Sequence, residues 1–296
     1  MNNLPKVRGS YRENFLLSKV TWFGVGGCAQ ILFKPADIED LSYFLKTKSP
    51  NIPYLVLGVG SNILVRDGGV KGVVIRLGKE FTEITHNENY LTAGAGALDL
   101  NVSNYCLDNS LEGLEFLSGI PGVIGGALAM NAGAYGQEIS NHLIKLEALD
   151  EHGNLITIKQ EDCGFQYRSS NLNKNLIFTK AYFKIKAGDK NLIAKRMEDI
   201  QQQREQSQPI RNKTGGSTFK NPQGHKAWQL IDQAGCRGLR VGDAIMSEKH
   251  CNFLINQGSA TASEIEQLGE QVRKAVFNNS GIMLEWEIKI IGSHDK

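Results

Sequence analysis

Residues 113–136 read GLEFLSGIPGVIGGALAMNAGAYG, and the rest of the chain is read outward from them. Gly113, Gly119, Gly122, Gly125, Gly126, Gly133 and Gly136 stand here with Pro121, and the residues between are almost all apolar: Leu117, Ile120, Val123, Ile124, Leu128, Met130. Flexible linkers are glycine-rich too, but polar. An apolar run this dense in glycine is expected to be buried, with its backbone pressed close to something. One reading is a pyrophosphate pocket, because glycine lets backbone N–H groups approach a bulky anion in turns of positive φ. The other is main chain packed tightly on main chain.

Two more glycine clusters precede this stretch, at Gly24, Gly26 and Gly27 and at Gly58-Val59-Gly60-Ser61-Asn62. Gly58-Val59-Gly60 follows an expected strand, but Ile63 stands where G-x-G-x-x-G needs its third glycine. A Rossmann site is therefore not supported, and no P-loop match exists. Three clusters together suggest several loops converging on a long anionic ligand such as a dinucleotide. Gly119, Gly122, Gly125 and Gly126 would cradle its phosphates. Asn62 and Asn131 could hydrogen-bond its polar edges, or could be turn residues tolerating the left-handed region.

At 296 residues the chain has the length of about two average domains. Its 32 glycines, about 11% against a usual ~7%, gather in a few loops, which singles those loops out. A net charge of +2 gives no reason to expect nucleic acid or a membrane surface as partner. The five cysteines are odd in number and none form a Cys-x-x-Cys pair. That argues for reduced thiols in a cytosolic protein. The histidines form no His-x-x-x-His pair, and no metal is expected. MNNLPKVRGSYRENF has no apolar h-region, so no signal peptide is expected, and no run reaches the roughly 18 apolar residues of a membrane span.

Alternating strands and helices argue for α/β or α+β layers. Strands are expected at AQILFK, Tyr54–Leu57, Val73–Leu77, near Phe81–Thr85 and at Tyr90–Ala93. Helices are expected after Pro35 and over Leu98–Asn109. Leu143–Leu149 and Leu155–Ile158 flank Glu151-His152-Gly153-Asn154 as a hairpin, and Ile177–Lys186 reads as a strand. Residues 189–208 are helical in pattern, with Ile193, Met197 and Ile200 as a thin stripe that Pro209 ends, and a domain boundary is placed there. Beyond it come a helix on Ala227, Leu230 and Ile231, a strand at Phe253–Ile255, and a capped helix opening at Thr261. A closing strand is expected over Ile282–Ile290, whose apolar and polar residues alternate strictly.

Some residues could carry chemistry. Arg168, in Tyr167-Arg168-Ser169-Ser170, could grip a carboxylate or phosphate or stabilise developing negative charge; an ordinary surface arginine is the alternative. Ser217 lies in a Gly-Gly-Ser turn, with no triad spacing and no G-x-S-x-G, so it reads as a proton donor or ligand, or simply as a turn serine. Glu285 and Glu287 share one face of the expected closing strand, as a positioned acid or as a solvated outer face. His250 reads as structural.

Taken in order, these motifs resemble those of the UDP-N-acetylenolpyruvoylglucosamine reductase family. The resemblance rests on Gly58-Val59-Gly60-Ser61-Asn62, on Gly119-Ile120-Pro121-Gly122-Val123-Ile124-Gly125-Gly126 with Met130-Asn131-Ala132-Gly133-Ala134-Tyr135-Gly136, on Tyr167-Arg168, and on Gly216-Ser217-Thr218-Phe219-Lys220-Asn221-Pro222. Leu284-Glu285-Trp286-Glu287-Ile288 fits as well, and the likeness runs from about Trp22 to Gly292. It implies an α+β fold. Residues 1–75 and 76–208 would be two subdomains holding FAD, similar to the vanillyl-alcohol-oxidase type, and 209–296 a substrate-binding domain. It further implies FAD contacts from Gly58, Gly60, Ser61, Asn62, Gly119, Pro121, Gly122, Gly125, Gly126, Asn131 and Ala132. Substrate contacts would come from Tyr167, Lys220 and Asn221, and catalysis from Arg168, Ser217 and Glu287.

The implied reaction is ping-pong reduction of UDP-N-acetylglucosamine enolpyruvate to UDP-N-acetylmuramate for peptidoglycan, by NADPH through FAD, in a cytoplasmic monomer. Arg168 and Glu287 would stabilise the enolate formed by hydride delivery, and Ser217 would protonate it. Only about eight residues separate Arg168 from the strand expected at Ile177, so the chain resembles the branch that lacks an inserted Tyr-bearing loop. Two other readings stand beside this one: a related flavin oxidase of an alcohol or hydroxy acid, against which Gly216–Pro222 counts, and a non-enzymatic nucleotide-sugar binding protein.

Overall fold

The protein was analysed as a computed structural model, which describes residues 4–294. The first three residues of the N-terminal stretch read above and the last two of the chain lie outside the described residues. The chain divides into two compact units, each assembled from several stretches of sequence. The first takes residues up to Arg12, Leu32–Gly58 and Val73–Gln203; the second takes Glu13–Ile31, Val59–Gly72 and the chain from Arg204 onward.

The first unit is built on a five-stranded antiparallel sheet in the order Leu155–Lys159, Leu143–Leu149, Ile177–Lys184, Tyr90–Gly94, Ile84–His86. Side chains alternate across it, so that Ile177, Ala181 and Phe183 go inward, as the period-2 pattern requires. The expected hairpin forms, with Leu149 opposite Leu155. Helix α1 (Ile38–Thr47) starts at Asp37, whose carboxylate accepts the Asp40 N–H, and buries Leu41, Phe44 and Leu45. The strand at Tyr54–Val56 is half exposed and pairs in parallel with Val73–Ile75.

Helices α2 (Asp99–Asp108) and α3 (Ile124–Met130) cover the sheet. Val102, Cys106, Ile124, Ala127 and Leu128 meet Leu91, Leu146, Ala148 and Phe183 in one apolar core. Between these helices Glu115–Gly119 forms a 3-10 turn. A short α4 (Ile139–His142) precedes the hairpin. Helix α5 (Lys190–Ser207) buries only the stripe Ile193, Met197 and Ile200. Near residue 81 the expected strand is instead a 3-10 turn, Lys79–Phe81, which buries Phe81; the strand starts at Ile84.

The second unit has its own core. A four-stranded antiparallel sheet runs Lys213–Thr214, Leu254–Asn256, Ala244–Met246, Arg240–Val241. Against it pack α6 (Ala227–Gln233) and α7 (Ala262–Ser280). The Thr261–Glu264 capping box forms as expected, and Gly281 ends α7 at φ 73°. Ile265, Leu268, Val272 and Val276 face inward. Phe23, Val25 and Leu64, from early in the chain, join this core.

The closing segment departs from expectation. Only Lys289–Ile291 is a strand, paired in parallel with Ile63–Val65. Residues 282–288 are irregular apart from an isolated bridge between Trp286 and Phe219. The alternation is nonetheless one of burial: Leu284 and Ile288 are buried while Met283 and Glu285 are exposed. Period 2 recorded an extended backbone lying on the core, and an extended backbone need not have a ladder partner along its length.

Candidate active site

In the first unit, Gly58 and the stretch from Gly119 to Gly126 come together around Val123. A Cβ on Gly58 would lie 2.8 Å from Val123 Cγ2, and one on Gly126 would find only that same atom, at 3.9 Å. Gly126 is exposed, so its backbone faces open space. The other glycines of the stretch are held by protein. A Cβ would lie 2.6 Å from the Tyr135 ring at Gly119, 2.5 Å from Asp99 Oδ2 at Gly122 and 3.1 Å from the Ala95 carbonyl at Gly125. The N–H groups of Ile124 and Gly125 donate to Ala97 and Ala95 carbonyls. Both readings of the stretch thus find support: close packing at Gly119, Gly122 and Gly125, against main chain only at Gly125 and against the Tyr135 and Asp99 side chains at the other two, and an open glycine surface at Gly126. Pro121 and Ala132 are half-buried beside them.

Asn131 ends α3 in the left-handed region, at φ 43°. Its side chain is fully buried, and its amide turns inward. Oδ1 accepts the Ser140 N–H at 2.9 Å, and Nδ2 donates to the Gln166 carbonyl at 3.2 Å.

Tyr167 and Arg168 form the tip of a reversal in which Gln166 and Ser169 exchange both backbone hydrogen bonds, at 3.0 and 3.1 Å. Arg168 occupies the third place of this turn at φ 55°, where glycine or asparagine is usual. Its Nη2 donates to the Gly133 carbonyl at 2.7 Å, and its guanidinium carbon lies 5.3 Å from the centre of the exposed Tyr167 ring.

In the second unit three stretches are knotted together. The Thr218 carbonyl accepts the Glu287 N–H at 2.8 Å, and the Asn62 amide donates to the Glu287 carbonyl at 3.2 Å. The Asn62 carbonyl accepts the Lys289 N–H at 3.0 Å. A Cβ on Gly216, at φ 77°, would lie 3.8 Å from the Ser61 carbonyl, so the Gly60–Asn62 loop also lies beside the serine turn. Gly60, at φ 69°, is pressed on Val20, where a Cβ would lie 2.5 Å from the carbonyl.

The two candidate acids differ. Glu285 is exposed and ion-paired with Lys220 at 3.4 Å, whereas Glu287 is half-buried in the knot. Ser217 is the residue before Thr218 and is half-buried. Asn221 is exposed, and its Oδ1 accepts the Ala227 N–H at the start of α6. His250 packs edge-on to Phe253 and Trp228, and burial pushes its pKa down, in keeping with a structural residue.

Three residues that matter here were not singled out from sequence. Thr218 is fully buried, and its Oγ1 accepts the Leu254 N–H. Asn252 grips Phe219 at both its N–H and its carbonyl. Thr218 lies within the serine-loop motif quoted above without a role of its own, and for Asn252 the sequence holds no signal. Asp99 is fully buried on α2, and neither carboxyl oxygen has a hydrogen-bond partner among the described residues. Burial raises its pKa well above the usual carboxylate range. Its signal was the helical period, which puts residue 99 on the face of Val102 and Cys106.

Comparison with known proteins gives this arrangement its class. A family model described as an FAD binding domain matches residues 29–159. The open glycine surface at Gly126 suits that cofactor, and the chain is an FAD-dependent oxidoreductase. A second model, the C-terminal domain of UDP-N-acetylenolpyruvoylglucosamine reductase, matches residues 208–291. The enzyme of that name from Rickettsia massiliae (strain Mtu5) is 52% identical over 291 residues, covering 98% of this chain and 99% of the relative. That from Rickettsia canadensis (strain McKiel) is 51% identical over 296 residues, covering 99% and 100%. The crystal structure of the Thermus caldophilus reductase matches with a TM-score of 0.84 at 36% identity, covering 97% of this chain and 100% of that one. The chain belongs to the UDP-N-acetylenolpyruvoylglucosamine reductase family. Membership decides against the oxidase and binding-protein alternatives. No helix among the described residues is long and apolar enough to cross a membrane.

Proposed function

We propose that this chain reduces UDP-N-acetylglucosamine enolpyruvate to UDP-N-acetylmuramate at the expense of NADPH, as a cytoplasmic monomer supplying peptidoglycan synthesis. The observation that carries the reading is the knot of Asn62, Thr218 and Glu287. It ties the backbone of the half-buried Glu287 to that of Thr218, the residue after Ser217, in the second unit, most of which matches the reductase's C-terminal domain. Gly58, Gly60, Ser61, Asn62, Gly119, Pro121, Gly122, Gly125, Gly126 and Ala132 line the cofactor. The chemistry FAD would supply there when bound is hydride transfer, from NADPH to the terminal vinyl carbon of the substrate.

Hydride addition there leaves a negative charge shared between the neighbouring carbon and its carboxylate. The Arg168 guanidinium offers that carboxylate a cation whose plane is held by the bond to Gly133. Glu287, protonated, shares a hydrogen bond with the enolate. The Ser217 hydroxyl gives its proton to the neighbouring carbon, which completes the lactyl ether. Lys220, Asn221 and Tyr167 contact the nucleotide substrate.

The test separates the half-reactions. Ser217→Ala is expected to leave reduction of the flavin by NADPH intact and to slow its reoxidation by the enolpyruvyl nucleotide by roughly 10³-fold. Unchanged turnover would remove Ser217 from the mechanism.

A further inference from the structure

Three side-chain hydrogen bonds lace the arginine turn to the end of the glycine stretch. The Ser170 hydroxyl donates to the Ala129 carbonyl at 3.3 Å, Asn131 Nδ2 donates to the Gln166 carbonyl at 3.2 Å, and Arg168 Nη2 donates to the Gly133 carbonyl at 2.7 Å. The rungs fall on alternate residues of one segment, 129, 131 and 133, and on both sides of the turn tip. The Asn131 side chain that makes the middle rung is itself fully buried, and its Oδ1 is held at the other end by the Ser140 N–H. Two non-glycine residues of the laced segments are left-handed: Asn131 at φ 43° and Arg168 at φ 55°. Left-handed backbone at non-glycine residues persists where the surroundings over-determine it, and it gathers at functional sites.

We infer that Asn131 is a positioning residue for Arg168: its buried amide fixes the 166–169 turn so that the guanidinium is set for the substrate carboxylate. This rests on the reading of Arg168 given above. A fully buried amide with both ends held by backbone is poorly placed to meet a cofactor, so its contribution passes through the turn. The glycine stretch then has two tasks. Its Gly119–Gly126 part lies along the cofactor, and its Ala129–Gly133 part sets the register of the arginine.

The experiment uses the FAD-loaded enzyme and stopped-flow absorbance of the flavin, first with NADPH and then with the enolpyruvyl nucleotide. Asn131→Gly keeps the left-handed backbone and removes both bonds. The expected result is normal FAD content, flavin reduction within about twofold of wild type, and substrate-driven reoxidation slowed by about 10–100-fold. In an Arg168→Ala background the same change is expected to add less than about twofold, because its effect runs through the arginine. Loss of FAD, equal slowing of both steps, or full additivity with Arg168→Ala would overturn the inference. A normal reoxidation rate in Arg168→Ala alone would instead sink the reading of Arg168, and the inference with it. Should Asn131→Gly fail to fold, Ser170→Ala removes an outer rung. It is expected to show the same selectivity at about threefold to tenfold, and an unselective effect there would count against the proposal.

Discussion

Replacing Asp99 by asparagine should stabilise the protein, and by an amount that grows with pH. The side chain is fully buried against Gly122, with no hydrogen-bond partner among the described residues for either oxygen. Burial therefore keeps it protonated and raises its pKa well above the ordinary range, whereas the unfolded chain ionises it near pH ~3.9. Between those two values the folded state holds one more proton than the unfolded state. Stability therefore falls as pH rises through the window, by about 1.4 kcal/mol per pH unit. An asparagine there is neutral in both states and has no such slope. Near pH 4 the two proteins should be alike, since a neutral acid and an amide bury similar unsatisfied groups. From there the curves should diverge until the pH passes the folded pKa of Asp99, where the gap levels off and reads that pKa directly. The assay is urea unfolding of the FAD-loaded protein at fixed cofactor and protein concentration, at half-unit steps from pH 4.5 to 8.5. Curves for wild type and variant that run parallel would show that Asp99 is ionised in the folded state and would refute the argument.

Other expectations follow from the same geometry. Gly122→Ala puts a methyl 2.5 Å from Asp99 Oδ2 while its next neighbours lie at 3.6 Å and beyond, so it should cost about 1–3 kcal/mol. Most of that cost should vanish in an Asp99→Ala background, and urea midpoints of the four proteins would decide it. Glu266 makes a two-pronged bond to Arg66, at 2.7 and 2.9 Å, and the hydrogen bond from Arg66 holds its pKa below the usual value. Its contribution is present above the unfolded pKa of ~4.3 and lost as pH falls through the folded one. Glu266→Gln should therefore lose about 1–2 kcal/mol at pH 7 and little at pH 3, read from unfolding curves at the two pH values. In α7 a methyl on Gly269 would lie 2.0 Å from the Trp286 ring, next to Glu287. Gly269→Ala should shift tryptophan fluorescence and slow flavin reoxidation by about tenfold while sparing reduction by NADPH.

Much of the fold was legible because it is local. The stripe on α5, the capping box of α7 and the hairpin around Gly153 each depend on residues a few positions apart, and each formed where periodicity and turn chemistry put it. Ile282–Ile290 misled for a physical reason: burial alternation fixes which way side chains face but not whether a neighbouring strand exists. Among candidate site residues, Glu287 and Glu285 could not be separated by composition. The separation comes from Thr218 and Asn62, distant in sequence, whose backbone bonds no periodicity reports. Asn131 shows the same limit, since an αL-tolerant residue reads alike whether its amide faces a ligand or the chain's own Gln166. Gly122 is glycine because of Asp99, a pairing that no glycine motif discloses.

The parallel pairing of Lys289–Ile291 with Ile63–Val65 bears on how the chain is synthesised. Arg66 waits 226 positions for the Gly292 carbonyl, which at about 5–20 residues per second is roughly 10–45 s of ribosome time. Through that interval Phe23, Val25 and Leu64, all buried in the finished protein, have no core to enter, since most of its other members lie beyond residue 218. The buried members of the apolar cluster on the five-stranded sheet of the other unit lie between residues 91 and 183 and have emerged much earlier. Maturation is thus ordered: the part holding Arg168 and the long glycine stretch has its chain available first, by residue 203. The part bearing Ser217 and Glu287 closes only once Lys289–Ile291 is available to pair with Ile63–Val65.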